Sequence, residues 1–293
     1  MKTLTVFTPT FNRAFCIQNL YESLVNQTCQ DFEWLIIDDG SSDESKNLID
    51  SWINENKIVI KYIFQQNQGM HGAHNTAYKN IKTELNTCID SDDFMTIDAV
   101  KNILECWNSI LNKYNYAGII GLDVDKEFKI IGTKFKDNLS ETTLSGFYKN
   151  GGTGDKKVVY RTEIINKYPE YPIFEGEKYV SLGYKYLLID QDYKLFVLNK
   201  PLVVVEYLES GSTLNMLNQY KNNPKGFAFI RIVNIKFATS FYEKFKLSIH
   251  YVSSSIFAKN PNFLKEASLK LLTFLAIPFG LLLYFYIKFK TKK

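Results

Sequence analysis

The chain is poor in the residues that staple or ligate a fold. Its four cysteines, Cys16, Cys29, Cys88 and Cys106, stand far apart with no Cys-x-x-Cys pair, so neither a zinc cage nor a disulfide framework is expected. Of only three histidines, His71 and His74 flank a glycine with no third partner nearby, which reads as a polar helix start rather than a metal centre. No signal-peptide pattern opens the sequence, and scattered thiols fit a reducing cytoplasm. A GxxxxGK[ST] sequence is missing, so the loop Gly151-Gly152-Thr153-Gly154 is not a P-loop, and no nucleic-acid motif occurs.

With 293 residues and 45% hydrophobic content, the chain has ample core for one large domain or a domain plus an appendage. Its net charge of +4 hides an asymmetry. From Lys225 onward twelve Lys or Arg face only Glu243 and Glu266, a balance of +10, whereas residues 1–224 carry 23 basic against 29 acidic residues, or −6. An acidic part joined to a basic, apolar tail predicts that the tail meets an anionic membrane surface, with no role for nucleic acid.

The first hundred residues alternate strand with helix. Leu4 to Thr10 reads as a strand, followed by a polar turn through Asn12 and Arg13 and a helix to Leu24. Glu33 to Ile37 is a second strand running into Asp38-Asp39-Gly40-Ser41-Ser42-Asp43, and a helix with Leu48, Ile49 and Trp52 on one side follows. Ile58 to Phe64 is a third strand, Gln65 to His71 a polar loop, His74 to Ile81 a helix, and Asn86 to Ile89 a fourth strand. The alternation implies an α/β fold with a mostly parallel sheet, whose ligands bind at the carboxyl ends of strands. Three polar loops, at Thr10 to Arg13, Asp38 to Asp43 and Asp90 to Asp93, lie at those ends.

The densest of these loops is Asp90-Ser91-Asp92-Asp93, three carboxylates in four positions. Like charges so close repel unless a cation or hydrogen bonds compensate them, so the cluster reads as a hard-cation site; the alternative is a turn and helix cap ahead of the amphipathic run Ala99 to Leu111. Asp190-Gln191-Asp192 repeats the pattern superficially, but between Leu187-Leu188-Ile189 and Lys194 to Leu198 a β-turn suffices.

Thr8-Pro9-Thr10-Phe11-Asn12-Arg13, Ile37 to Asp43, Asn67-Gln68-Gly69, Asn75 and Ile89 to Asp93, in this order and spacing, resemble the family-two glycosyltransferases of the GT-A fold. The resemblance covers residues 1–111 well. It thins beyond, although Gly154-Asp155-Lys156, Phe174-Glu175-Gly176-Glu177 and Glu206 to Ser212 resemble the acceptor half of bacterial members. It implies a nucleotide-sugar donor and a Mn²⁺ or Mg²⁺ cofactor held by Asp92 with Asp90 or Asp93. It further implies a uracil pocket of Pro9, Thr10 and Asp39, donor contacts from Asn12, Arg13, Asn75 and Asp90, and a catalytic acidic residue on the acceptor side. Here that region is Glu-Gly-Glu rather than the commoner Glu-Asp, so the base is Glu177, with Glu175 second and Asp155 a candidate for holding sugar or acceptor. Asp38 is the less certain member of its pair, since Asp38, Ser41 and Ser42 could merely close the turn.

The tail differs in kind. From Gly226, Phe237, Phe241, Phe245 and Ile249 recur every four residues beside Lys236, Lys244 and Lys246, which predicts a basic amphipathic helix. Leu271 to Ile287 is a nearly uncharged run of seventeen, short for a span of the hydrocarbon core, and it is interrupted by Pro278 and Gly280. A crossing would put the terminal lysines outside, against the positive-inside bias, so an in-plane or re-entrant segment is expected, with a helix buried on the domain as the alternative. The expected organisation is a GT-A domain over 1–215, with a nucleotide-sugar half to 111 and an acceptor half from 112, then a helical membrane-associating region over 216–293. The expected activity is metal-dependent, inverting sugar transfer to a glycan or lipid-linked acceptor at the cytoplasmic face of the membrane, with a peripheral or monotopic attachment. The alternatives are a catalytically silent scaffold or a sugar nucleotidyltransferase, whose G-x-G-x-R loop is absent here. The donor sugar is unreadable.

Overall fold

A computed structural model describes residues 2–206 and 216–291; most of the Glu206 to Ser212 motif therefore lies outside the described residues. The chain forms two compact units, one within 1–170 and 185–208 and the other within 171–184 and 209–293.

The first unit opens with β1 (Leu4–Thr10), α1 (Ile17–Val25), β2 (Phe32–Asp38), α2 (Ser45–Glu55), β3 (Ile60–Phe64), α3 (Met70–Asn80) and β4 (Leu85–Cys88). It continues with β5 (Phe94–Met95), α4 (Ala99–Ser109), β6 (Tyr116–Val124), β7 (Glu141–Thr142), α5 (Leu144–Lys149), β8 (Lys156–Arg161), α6 (Thr162–Lys167), α7 (Gly183–Asp192) and β9 (Lys194–Val204). The strands form one sheet in the order β3-β2-β1-β4-β8-β6-β9-β5, with β7 beside β9. β1 runs parallel to β2 and β4, and β2 to β3. β8 is antiparallel to both β4 and β6, while β6 and β9 are parallel. The sheet is thus mixed, and the carboxyl ends of β1, β2, β4, β6 and β9 share one edge with the amino end of β8.

Every residue of β1 and β2 is buried, as expected of parallel strands covered on both faces. Leu4, Val6, Trp34 and Ile36 pack with Ile17, Leu20 and Leu24 of α1 and with Ile49 and Trp52 of α2. Tyr21 stacks on Trp52 at 4.3 Å between ring centroids, and Trp34 lies 5.8 Å from Trp52. The indole of Trp34 donates to Thr8 Oγ1 at 2.9 Å, so the largest core residue carries no unpaired donor. Pro9 is tolerated inside the sheet because the β1–β4 ladder ends at Phe7 opposite Cys88, where a missing N–H has no partner to lose.

Three elements differ from the sequence expectation. α3 begins at Met70 rather than His74, absorbing most of the expected loop end. Asp190 and Asp192 lie in α7, not in a turn, and Asp190 accepts from Leu144 N at 3.2 Å and Ser145 N at 2.7 Å, at the start of α5. The expected continuous basic helix is two.

Those two helices belong to the second unit, which comprises α8 (Met216–Asn222), α9 (Pro224–Phe237), α10 (Phe241–Phe257), α11 (Phe263–Glu266), α12 (Lys270–Lys290) and the strap 171–184. Ser240 breaks the run: its hydroxyl accepts from Glu243 N at 3.1 Å and starts α10 afresh. α12 continues through Pro278 for 21 residues, so by length and composition it could cross a membrane, and only 22% of its apolar 18-residue stretch is buried. Its buried face is Thr273, Ala276, Gly280 and Ile287. A Cβ on Gly280 would lie 2.5 Å from Val252 Cγ1, so glycine permits the close approach of α10 and α12. Leu271, Phe274, Leu275, Leu282, Phe285 and Phe289 stay more than half exposed. The alternative of a helix wholly buried on the domain is therefore not what is found.

Gly118 sets the bulge of β6. It has φ +153°, and a Cβ there would fall 1.9 Å from Val159 O of β8. Gly118→Ala is expected to destabilise the first unit by about 3 kcal/mol, a backbone clash that side-chain repacking does not relieve. Denaturant unfolding measures it; a midpoint equal to that of the unchanged chain contradicts the close approach.

Candidate functional site

The loops after β1 and β2 are tied to each other. Asn12 takes φ 53°; its N–H donates to Ser41 Oγ at 2.8 Å and its Oδ1 accepts from Ser42 N at 2.8 Å. Asn12 is thus a strut between loops, committed on both its main chain and its side chain. Asp38 closes the second turn, accepting from Ser41 N at 2.7 Å and from Tyr62 OH at 2.8 Å. Asp39 is buried and points the other way, accepting from Gln65 Nε2 at 2.7 Å, Gln68 N at 2.8 Å and Gly69 N at 2.7 Å. These donors fix the Asp39 carboxylate at the end of β2. Thr10 Oγ1, at the end of β1, is buried with no hydrogen-bond partner among the described residues, and Pro9 is buried beside it. Asn75 is buried on α3. His71 and His74 are buried on the same helix, His74 Nδ1 lying 2.9 Å from Met70 O, and burial depresses the His74 imidazole to about 4.

After β4 the chain turns through Asp90 to Asp93, with Asp93 N donating to Asp90 O at 3.1 Å. Burial, then the charge of Asp90, raises the Asp92 carboxyl above its ordinary value, and the charge of Arg13 opposes the shift. Asp93 turns inward and accepts from Glu206 N at 3.1 Å; burial foremost, with Asp90, Asp92 and Asp123, pushes it to about 8 against the pull of Lys157. Asp90, Asp92 and Asp93 therefore do not converge as three ligands: among the described residues no group of three His, Cys, Asp or Glu is arranged to hold a metal. Asp92 with Asp90 remains a two-carboxylate oxygen donor set, and a pair completed by phosphate oxygens suits Mg²⁺ or Mn²⁺.

Two lysines organise the far side of this edge, Lys156 from the Gly154-Asp155-Lys156 motif and Lys157, which the sequence did not single out. Lys156 is buried and its ammonium donates to the carbonyls of Ile131, Thr153 and Asp155 at 3.0, 3.1 and 2.9 Å, clamping the Gly151–Gly154 loop; Asp155 itself is exposed. Gly132 and Gly154, with φ +72° and +74°, let the facing backbones meet where a Cβ would lie 2.1 Å from Thr153 O or 2.3 Å from Ile131 O. Lys157 donates to Cys88 O at 3.2 Å. Burial opposes its charge, but Asp123, Asp90 and Asp93 together raise its pKa above the ordinary value. Asp123, at the end of β6, is also a finding of the structure; burial raises it to about 6. Its position in an unbroken apolar strand, Gly118 to Val124, gave little signal.

Glu175 and Glu177 belong to the second unit. Neither lies at the start of the helix that follows them in sequence, as expected for the base, since α7 begins at Gly183. Glu177 is buried, and its two oxygens accept from Lys225 N at 2.9 Å and Gly226 N at 2.8 Å, capping α9 across 48 residues. Gly226 allows this docking, because a Cβ there would lie 2.1 Å from Tyr179 O. Glu175 is exposed in the turn closed by Glu177 N and Phe174 O at 3.0 Å, with Gly176 at φ +78°.

Residues 5–168 match the family described as Glycosyl transferase family 2. The chain is 31% identical over 123 residues to a GalNAc(5)-diNAcBac-PP-undecaprenol beta-1,3-glucosyltransferase of Campylobacter jejuni, a stretch covering 41% of this chain and 38% of that relative. Among solved structures it is similar to TarS of S. aureus in complex with UDP-GlcNAc, with TM-score 0.60 at 19% identity over 94% of this chain and 79% of the other. It is similar too to the mannosyltransferase PcManGT of Pyrobaculum calidifontis in complex with GDP-Man and Mn²⁺, with TM-score 0.56 at 16% identity over 98% and 82% of the two chains. These likenesses identify the first unit's mixed sheet as the GT-A fold.

Proposed function

Because the chain belongs to glycosyl transferase family 2, we propose that it transfers a sugar from a uridine-diphosphate donor to a glycan or lipid-linked acceptor in cell-surface polysaccharide synthesis. The observation that carries this reading is the edge at which Thr10, Asp39 and the Asp90–Asp92 pair stand together on the ends of three adjacent parallel strands. A UDP-sugar donor is supported by the UDP-GlcNAc complex of TarS, and a lipid-linked acceptor by the relative named for an undecaprenol-linked substrate.

In this reading Asp39 accepts from the uracil N3–H, and Pro9 and Thr10 wall the base, the orphan Thr10 Oγ1 acquiring a ligand partner. Asn12 holds the two loops at their spacing, Asn75 lines the donor crevice and Arg13 offers its guanidinium to phosphate. Asp92 with Asp90 would hold Mn²⁺ or Mg²⁺, an ion which when bound neutralises the departing diphosphate; Asp93 secures the loop through Glu206. The bond from sugar C1 to the diphosphate oxygen breaks with its electron pair leaving on the nucleotide. The acceptor oxygen bonds to C1 from the opposite face, inverting it, and a carboxylate takes the acceptor proton. The motif resemblance alone assigns that proton to Glu177, with Glu175 and Asp155 as the alternates; both Glu177 oxygens already accept from the N–H groups of Lys225 and Gly226. The exposed apolar face of α12 and the basic residues of 225–293 support attachment to an anionic membrane surface, peripheral or monotopic, at the cytoplasmic face.

Asp92→Asn is expected to remove the Mn²⁺ dependence of UDP binding in titration calorimetry; undiminished dependence excludes Asp92 as a ligand. Glu177→Gln should lower turnover about a hundredfold or more with donor affinity kept, and Glu175→Gln should do less; small, equal losses would send the proton to Asp155 or to no enzyme base. The full chain should sediment with anionic vesicles and far less with neutral ones, whereas equal recovery on both counts against the electrostatic part of the attachment.

A further inference from the structure

The sheet edge holds one ionisable group that the roles above leave unused. Asp123 is 2% exposed, and its Oδ1 has no hydrogen-bond partner among the described residues. An unsatisfied buried carboxylate oxygen is costly, roughly 1–3 kcal/mol or more, and folds keep such groups where something else completes them. The neighbouring strands offer little to complete it: the main chain beside Asp123 is spent on Ile131, whose N–H donates to Asp123 O at 2.9 Å. The opposite charge that acts on it most is that of Lys157, whose ammonium donates to Cys88 O at 3.2 Å. An ammonium has three donors, so two are left over. A carboxylate acceptor and an ammonium donor thus stand next to the Asp90–Asp93 loop, both with hydrogen-bonding capacity to spare.

Phosphate does not suit this place, because Asp123, Asp90 and Asp155 all surround it with negative charge. What suits a buried carboxylate beside an ammonium is a neutral group that donates and accepts at once, and a pair of adjacent sugar hydroxyls does both. We propose that Asp123 is a specificity-determining residue that accepts hydrogen bonds from hydroxyl groups of the sugar being transferred, with Lys157 donating to an adjacent sugar oxygen. This rests on the reading of the chain as a nucleotide-sugar transferase and adds the part of the donor that lies beyond the diphosphate. Because the site is built to pair with hydroxyls, a donor lacking the contacted one leaves the carboxylate stranded and is rejected strongly.

The test titrates the full chain, its Asp123→Asn variant and its Asp123→Ser variant with UDP, UDP-glucose, UDP-galactose and UDP-GlcNAc, and with deoxy analogues of the best binder, in the presence of Mn²⁺. Equal thermal midpoints establish that the variants fold. The expected result is that both variants bind UDP within about twofold of the unchanged chain but lose tenfold or more of the extra affinity that the sugar confers. One deoxy analogue should be penalised by the unchanged chain and not by the variants, a pattern that a structural role would not produce. A sugar increment fully retained in both variants overturns the assignment, as does an equal loss for UDP and UDP-sugars. An unchanged chain that binds no uridine nucleotide overturns the underlying reading and this assignment with it, and is told apart because it needs no variant.

Discussion

Charge crowding at one sheet edge is the constraint on which the rest of the first unit depends. Asp90, Asp92, Asp93 and Asp123 stand where β4 and β6 end, and the protein meets their repulsion with Lys157, anchored on Cys88 O. That anchoring works only because β8 runs against β4 and β6, which brings its amino end to the edge where the other strands finish. Reversing one strand thus supplies cations to a place where an all-parallel sheet would collect only loop residues. The remaining tension is kept, since Asp92, Asp93 and Asp123 are all displaced toward the protonated form by burial and by neighbouring carboxylates, Asp90 common to all three.

Around that edge most side chains act on their neighbours before they act on any ligand. Asn12 braces Ser41 and Ser42, Gln65 and Gly69 orient Asp39, and Lys156 gathers the carbonyls of the Gly151–Gly154 loop. Such bracing is what holds a site within the tolerance that group transfer demands. It also separates two kinds of acidic residue that look alike in sequence: Asp38, Asp190 and Glu177 tie down main-chain N–H groups of distant or following residues, whereas Asp92 bonds its own N–H and Asp123 Oδ1 has no partner among the described residues.

Legibility in the sequence followed the range of the interaction. The β-α steps, the fully buried β1 and β2, and the three loops at their ends were readable because hydrophobic runs and turn residues are local signals. The antiparallel β8, the α7 helix over Asp190 and the break at Ser240 were not, since each is decided by pairing or capping against distant chain. Asp123 was hidden by its apolar neighbours. Glu177 was singled out by its motif as a candidate base, but its hold on Lys225 and Gly226 spans 48 and 49 residues and leaves no trace in the local pattern.

The seam between α10 and α12 has a consequence for the pair's surroundings. Its close contact relies on Gly280 under Val252 and on small residues such as Ala276 and Ser248, flanked by the ring pairs Phe245–Phe279 and Phe257–Tyr284 at 5.7 and 4.5 Å between centroids. Packing of that sort is as favourable in hydrocarbon as in water, because it draws on shape and dispersion rather than on the aversion of oil to solvent. The pair can therefore keep the same internal arrangement whatever covers its outer face.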